Sequence, residues 1–211
     1  MELLISLAAL LGTLTVGAMS PGPSFVLVAR TAIASSRAHG LAAAAGMGLG
    51  GLLFSVLVLL GFHALLASVP WLYLVLKVVG GAYLFYLGIC IWRGAKQPLA
   101  MAEASQPMPS KLGRSFLVAL GAQLSNPKTA VFYGSIFAAL LPQNLPVAVA
   151  VTLPALVFII ETAWYAVVAL ALSSESSRAA YLRAKVVVDR VAGGVLGLLG
   201  LKLIASGSAT A

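Results

Sequence analysis

Charge is scarce in this sequence. Charged residues occupy 9% of its 211 positions, and only five are acidic, against about 25% charged in ordinary globular proteins. A chain of this size folded in water leaves much of its surface exposed, and so few charges could not cover it. A soluble enzyme, a disordered chain and a collagen-like repeat are excluded together. Cysteine is scarcer still. With Cys90 alone, no intramolecular disulfide, CxxC redox pair or thiolate zinc site can form, and Cys90 is expected as a small buried apolar residue. A phosphate-binding glycine-rich loop, an HExxH motif and a Cys/His cluster are also missing. ATP hydrolysis and metal chemistry therefore have nothing to stand on, and no cofactor, metal or catalytic residue is expected.

What is abundant is apolar: residues of the AVILMFWYC set make up 61% of the chain. The expected fold is an all-α integral membrane protein with the lipid bilayer as its main partner. The net charge of +8, from 13 Lys and Arg, does not indicate nucleic acid. Nucleic-acid binders cluster basic residues on a water-exposed groove or stripe; here they sit in short gaps between apolar runs, where membrane topology places them.

A spanning helix needs about 20 largely apolar residues. Leu3 to Ala29 is uncharged, giving a first span interrupted by Ser20-Pro21-Gly22-Pro23. Gly40 to Trp92 carries only Lys77 as a formal charge and is too long for one helix, so Ala67-Ser68-Val69-Pro70 divides it into spans near 40–66 and 71–92. Arg93 to Arg114, with Pro98, Pro107 and Pro109, is the longest loop and the natural midpoint. Phe116 to Leu141 is a fourth span, interrupted by Asn126-Pro127-Lys128. A tight turn over Pro142-Gln143-Asn144-Leu145-Pro146 leads to a fifth from Val147 to Leu172. Ser173 to Arg190 is polar, and Val191 to Ala205 makes a shorter sixth, with a start near Val186 as the variant. Five spans is the competing count, if the last is interfacial. Met1-Glu2 is acidic and the run after it is long for a signal peptide, so the first segment reads as a retained helix.

Ten of the 13 basic residues fall in the 1–2, 3–4 and 5–6 connections, and the 2–3 and 4–5 connections hold none. By the positive-inside rule the basic connections face the cytoplasm and both termini face the periplasm or exterior.

The halves echo one another. Ser20-Pro21 resembles Asn126-Pro127, an offset of 106, and Lys77-Val-Val-Gly80-Gly81 resembles Arg190-Val-Ala-Gly193-Gly194, an offset of 113. Residues 1–92 then form one three-helix repeat, 93–114 a cytoplasmic linker and 115–211 a second repeat. An odd number of spans per copy makes the repeats inverted, a recurring plan of secondary transporters with the substrate site near the midplane where broken helices meet. Chance similarity between glycine-rich helices is the alternative.

Proline inside a span frees backbone groups, which in lipid must be satisfied by protein, water or ligand. Ser20, Pro21, Gly22 and Pro23 facing Asn126, Pro127 and Lys128 would offer carbonyls to an ammonium and N–H groups to a carboxylate, the two ends of an amino acid; a plain kink is the alternative. Charges at this depth cost about 2.5–3.5 kcal/mol on insertion scales. Glu161 is the only acidic residue deep in a span, and it could bind an ammonium or accept and release a proton; a neutral carboxyl bonded to a neighbouring helix is the blander reading. Lys128 could meet a substrate carboxylate or pair with Glu161, or else play a structural role by snorkelling or filling a freed carbonyl. Lys77 reads as snorkelling and His63 as interfacial. Trp71, Tyr73, Trp92 and Trp164 fit interfacial or cavity positions, and Gly46 with Gly50 and Gly193 with Gly197 let helices approach closely.

Ser20-Pro21-Gly22-Pro23, the Gly40–Gly50 stretch, Lys77-Val-Val-Gly80-Gly81-Ala-Tyr83-Leu84, Ser125-Asn126-Pro127-Lys128 and Val191-Ala-Gly193-Gly194 together resemble the LysE/RhtB family of bacterial amino-acid exporters, over nearly the whole chain. The resemblance implies inner-membrane efflux of amino acids or close derivatives, driven by an ion gradient. Many relatives carry an acidic residue in the second helix where Gly51 stands here, and Glu161 lies 110 residues on, as the one carboxylate left of a pair. With one acidic group and Lys128 nearby, a neutral amino acid fits better than a cationic one, with a proton or other ion as coupling partner. The oligomeric state, a homodimer included, is left open. The competing class is a non-transporting scaffold or subunit of a membrane complex.

Overall fold

The computed structural model describes residues 2–20, 22–68, 70–97, 111–141, 145–173 and 175–208. These residues form eight helices: α1 (Glu2–Met19), α2 (Pro23–Ala34), α3 (Arg37–Ser68), α4 (Pro70–Gly94), α5 (Leu112–Leu124), α6 (Pro127–Leu140), α7 (Val147–Leu172) and α8 (Glu175–Ser208). Proline marks three of the starts. Pro70 opens α4, while Pro23 and Pro127 sit in the first turns of α2 and α6, where a missing N–H costs nothing and the fixed φ favours the helix. Among the described residues, α3 over Arg37–Gly61 and α7 over Val147–Leu172 are each long and apolar enough to cross a membrane. The pair α1 and α2 meets the same test together, bent by 56° at its break.

The middle of the chain packs through glycine. On α3, Gly46 seats α5: a Cβ there would meet the Phe116 carbonyl, with the Leu120 nitrogen 3.1 Å away. Gly48 faces Thr162 of α7. The backbones of α4 and α8 approach so closely that a Cβ on Gly88 would lie 2.6 Å from the Gly193 oxygen, and one on Gly193 2.7 Å from the Gly88 oxygen. Small residues permit this approach, and in lipid it supplies the van der Waals contact that drives helix association. One cluster joins Leu10, Leu14, Phe54, Tyr133, Phe137 and Leu196; a second joins Phe25, Val28, Met47, Tyr165 and Val168.

Several sequence expectations change here. The polar stretch 173–190 was expected as a connection, yet α8 runs unbroken from Glu175 into the sixth apolar segment. It contains no proline, and its first glycine is Gly193. Lys185 and Asp189, expected in that connection, are one helical turn apart and buried, bonded at 2.7 Å. Lys185 also donates to the Ala95 carbonyl just beyond α4, at 3.2 Å, so part of the expected surface charge is spent inside the fold. Cys90 is exposed rather than buried. It shares an outer strip of α4 with Val79 and Tyr86; in a membrane protein, apolar character does not by itself require burial, because an outer face can meet lipid. The first break joins α1 to a second helix that continues to Ala34, five residues beyond the expected end.

Pro21, most of the expected linker (98–110), and Pro142-Gln143-Asn144 lie outside the described residues, as do the side chains of His63, Trp71, Tyr73 and Lys77. Trp92 is exposed, with the Arg190 guanidinium 6.0 Å from its ring centroid; Trp164 is half-buried.

Candidate functional site

Both helix breaks end in an N-terminus, and the two N-termini share a cavity. Gly22 caps α2 in an extended conformation, with Pro23 next and no side-chain cap bond. Asn126 caps α6: its Oδ1 accepts from the Lys128 backbone N–H at 3.0 Å, with Pro127 between them. The Pro-Gly-Pro and Asn-Pro-Lys motifs therefore build starts of helices, where unpaired N–H groups and the helix dipole favour an anion. Residues of both breaks line one cavity of about 40 Å³: Ser20, Gly22 and Pro23 from the first, Asn126 and Lys128 from the second, with Glu161 from α7.

Direct bonds tie the breaks together. Lys128 Nζ donates to Ser20 Oγ at 3.2 Å, and Asn126 Nδ2 donates to Ser24 Oγ at 3.1 Å. A relay continues from there. Ser24 Oγ donates to Gln123 Oε1 at 2.6 Å, and Gln123 Nε2 donates to Glu161 Oε2 at 2.8 Å. The Tyr133 hydroxyl donates to the other carboxylate oxygen, Oε1, at 2.7 Å. Glu161 is 6% exposed and Gln123 1%, so these bonds are made away from bulk solvent, where an unpaired polar group is costly.

Of the expected residues, Ser20, Gly22, Pro23, Asn126, Lys128 and Glu161 line this cavity; Pro127 does not, and Pro21 lies outside the described residues. Lys128 was expected to meet a substrate carboxylate or to pair with Glu161; among the described residues it bonds instead to Ser20, a partner not anticipated. Glu161 is bonded to neighbouring helices through Gln123 and Tyr133, and among the described residues each carboxyl oxygen accepts one bond from a neutral donor and keeps a lone pair for another. Ser24, Gln123 and Tyr133 escaped the sequence reading. Gln123 had a detectable signal, an amide three residues before Asn126 in an apolar run. Ser24 directly follows Pro23, and Tyr133 carried no signal at all.

Chemically, the site presents an ammonium at Lys128 beside an uncapped helix start and a carboxylate at Glu161. It can receive a molecule with one negative and one positive group. The present cavity has room for a few waters, too little for such a molecule without movement of its walls. Among the described residues, no group of three or more His, Cys, Asp or Glu could hold a metal ion.

Comparison with known proteins places the chain in a family of membrane translocators. Residues 15–207 match the family described as LysE type translocator. The chain is 34% identical over 192 residues to the threonine efflux protein of Escherichia coli (strain K12), covering 90% of this chain and 93% of that one. The threonine efflux protein of Salmonella typhi gives the same identity and coverage. The uncharacterized membrane protein YahN of Escherichia coli (strain K12) is 30% identical over 196 residues, 93% of this chain and 87% of that one. No solved structure matches. The match spans both helix breaks, α3, α7 and Glu161 alike, and it makes this chain a membrane transporter rather than an enzyme: it belongs to the LysE type translocator family.

Proposed function

We propose that this protein exports neutral amino acids or close derivatives across the bacterial inner membrane, coupled to protons, by alternating access of two inverted three-helix repeats. The observation that carries the reading is the meeting of the two breaks, Lys128 on Ser20 and Asn126 on Ser24, beside a buried carboxylate. In this scheme the substrate carboxylate displaces Ser20 from Lys128 and lies over the open start of α2, and the substrate ammonium takes the free lone pairs of Glu161. Ser20, Pro21, Gly22, Pro23, Asn126, Pro127 and Lys128 form the substrate site, and Glu161 binds the ammonium or the coupling proton.

Helix pairing supports the inverted arrangement, with residues 1–92 as one repeat, 93–114 as a cytoplasmic linker and 115–211 as the other. If α1 with α2 is the first span and α5 with α6 the fourth, a twofold axis in the membrane plane exchanges α3 with α7 and α4 with α8. Those two pairs pack against one another, and so do α1 with α6 and α2 with α5. Six spans in this order put both termini on the periplasmic side. One carboxylate and one ammonium in the cavity suit a substrate with a single charge of each sign, and the relatives named for threonine efflux fit that class. The driving force suffices: one charge moved through 100 mV is worth about 2.3 kcal/mol, a roughly 50-fold gradient.

The test is flux in vesicles reconstituted with the purified protein. A pH gradient should drive L-threonine or another neutral amino acid from a broad panel, while L-lysine moves poorly. No flux of any panel member sinks the proposal, and preferential L-lysine flux removes its substrate class.

A further inference from the structure

Gly51 of α3 faces the Glu161 carboxylate directly. A Cβ built on Gly51 would lie 2.7 Å from Glu161 Oε2, 2.8 Å from its carboxyl carbon and 2.8 Å from the Tyr133 hydroxyl. Favourable contacts between carbon atoms lie near 3.5–4.0 Å, so even a methyl group at position 51 would overlap the carboxylate. The carboxylate has little freedom to retreat. Its oxygens are held from two sides by Gln123 and Tyr133, and Gln123 is held in turn by Ser24. The Gln123 stem also lies against Gly50, where a Cβ would be 2.8 Å from the Gln123 Cβ. The amide therefore cannot follow a displaced carboxylate. Position 51 on α3 and position 161 on α7 share one volume.

We propose that Gly51 determines specificity by reserving that volume for a single carboxylate delivered from α7. Only a residue without a side chain at position 51 lets Glu161 sit between Gln123 and Tyr133 with lone pairs open to the cavity. A carboxylate carried by position 51 would occupy the same point instead of adding a second one, so the site holds one counter-charge for one ammonium. This rests on the ammonium role proposed for Glu161, and the experiment separates the two claims.

Four variants in detergent and in vesicles provide the test: Gly51→Ala, Glu161→Ala, the pair Gly51→Ala with Glu161→Ala, and the exchange Gly51→Asp with Glu161→Ala. In the parent, Gly51→Ala lowers the thermal midpoint and cuts L-threonine export about 10- to 100-fold, the range for a displaced charged hydrogen bond. With Ala at 161 the same substitution lowers the midpoint clearly less, because the carboxylate overlap is gone and only the Tyr133 hydroxyl, 2.8 Å from the built Cβ, is left to shift. The exchange variant recovers export to within about tenfold of the parent, and Glu161→Ala alone does not. An equal fall of the midpoint in both backgrounds overturns the shared volume. So does an exchange variant that exports no better than Glu161→Ala, or that fails to fold where Glu161→Ala folds. Export by Glu161→Ala at the parent rate removes the ammonium role instead, and the thermal comparison still decides the shared volume.

Discussion

Lys128 Nζ and Ser20 Oγ are 108 positions apart in the chain and 3.2 Å apart in space. The bond crosses from the start of α6 to the residue that follows α1 at the first break, so each broken segment supplies one partner. A cation resting on a neutral hydroxyl is weakly committed, and a carboxylate that enters the cavity is a stronger partner for it.

Replacing Lys128 with Met keeps the length of the stem and removes the charge. Apparent affinity should fall about 10- to 100-fold, the worth of one charge-assisted hydrogen bond, with little change in thermal midpoint. Titration calorimetry with L-threonine, or concentration-dependent flux per inserted molecule, checks this. Unchanged affinity places the substrate carboxylate elsewhere.

Ser20→Ala separates the lysine's two roles. It frees Lys128 from its resting partner, and in the proposed scheme Ser20 lines the substrate site without a strong bond of its own to the substrate, so affinity should hold within about threefold or rise, on the scale of a modest net hydrogen bond. A loss as large as that of Lys128→Met means that Ser20 itself holds substrate, and the same titration reads it.

Glu161→Gln preserves shape and removes the charge. Flux imposed by a substrate gradient should drop, and the residual flux should no longer respond to a pH gradient. Vesicle flux with and without an imposed pH step measures both. Full retention of the pH response excludes Glu161 as the coupling group.

Gln123→Leu strips two buried partners at once, the Ser24 hydroxyl and one oxygen of Glu161. Each group left unpaired costs about 1–3 kcal/mol. The variant should therefore melt lower than Asn126→Ala, which gives up a helix cap worth about 1 kcal/mol and a bond to Ser24 but leaves Ser24 still paired with Gln123. Thermal unfolding in one detergent ranks the two.

Asp189→Ala leaves Lys185 buried with the Ala95 carbonyl as its remaining partner among the described residues. Breaking a buried pair from one side costs about 3–5 kcal/mol, so this variant should be the least stable of the set. Replacing Lys185 and Asp189 together by Met and Leu should recover much of the loss. Chemical unfolding monitored by tryptophan fluorescence compares them.

A membrane chain of helices with two interrupted segments was legible from composition and proline placement, because lipid leaves the backbone few ways to satisfy itself and proline can sit only where an N–H is not needed. The breaks appear at residues 20–22 and 125–126, where the motifs put them. The helical course of 175–190 was not legible, since polarity reads as a loop when nothing shows that Lys185 and Asp189 will neutralise one another inside the fold. Cys90 was misjudged for a related reason: burial was inferred from apolar character, which does not distinguish a core from a lipid-facing surface.

The sequence by itself determined the solvent, the helix starts at the two proline motifs and the short list of charged groups that had to matter. Tertiary structure alone decided their partners: Ser20 for Lys128, Gln123 and Tyr133 for Glu161, and the bare face of Gly51 against the carboxylate. The reason is that these helices are apolar nearly all round, so the periodicity that reveals an inward face in a water-soluble helix is missing. Which side chains meet is set by close backbone approach at small residues such as Gly46, Gly88 and Gly193, and that fit exists only once the helices are side by side.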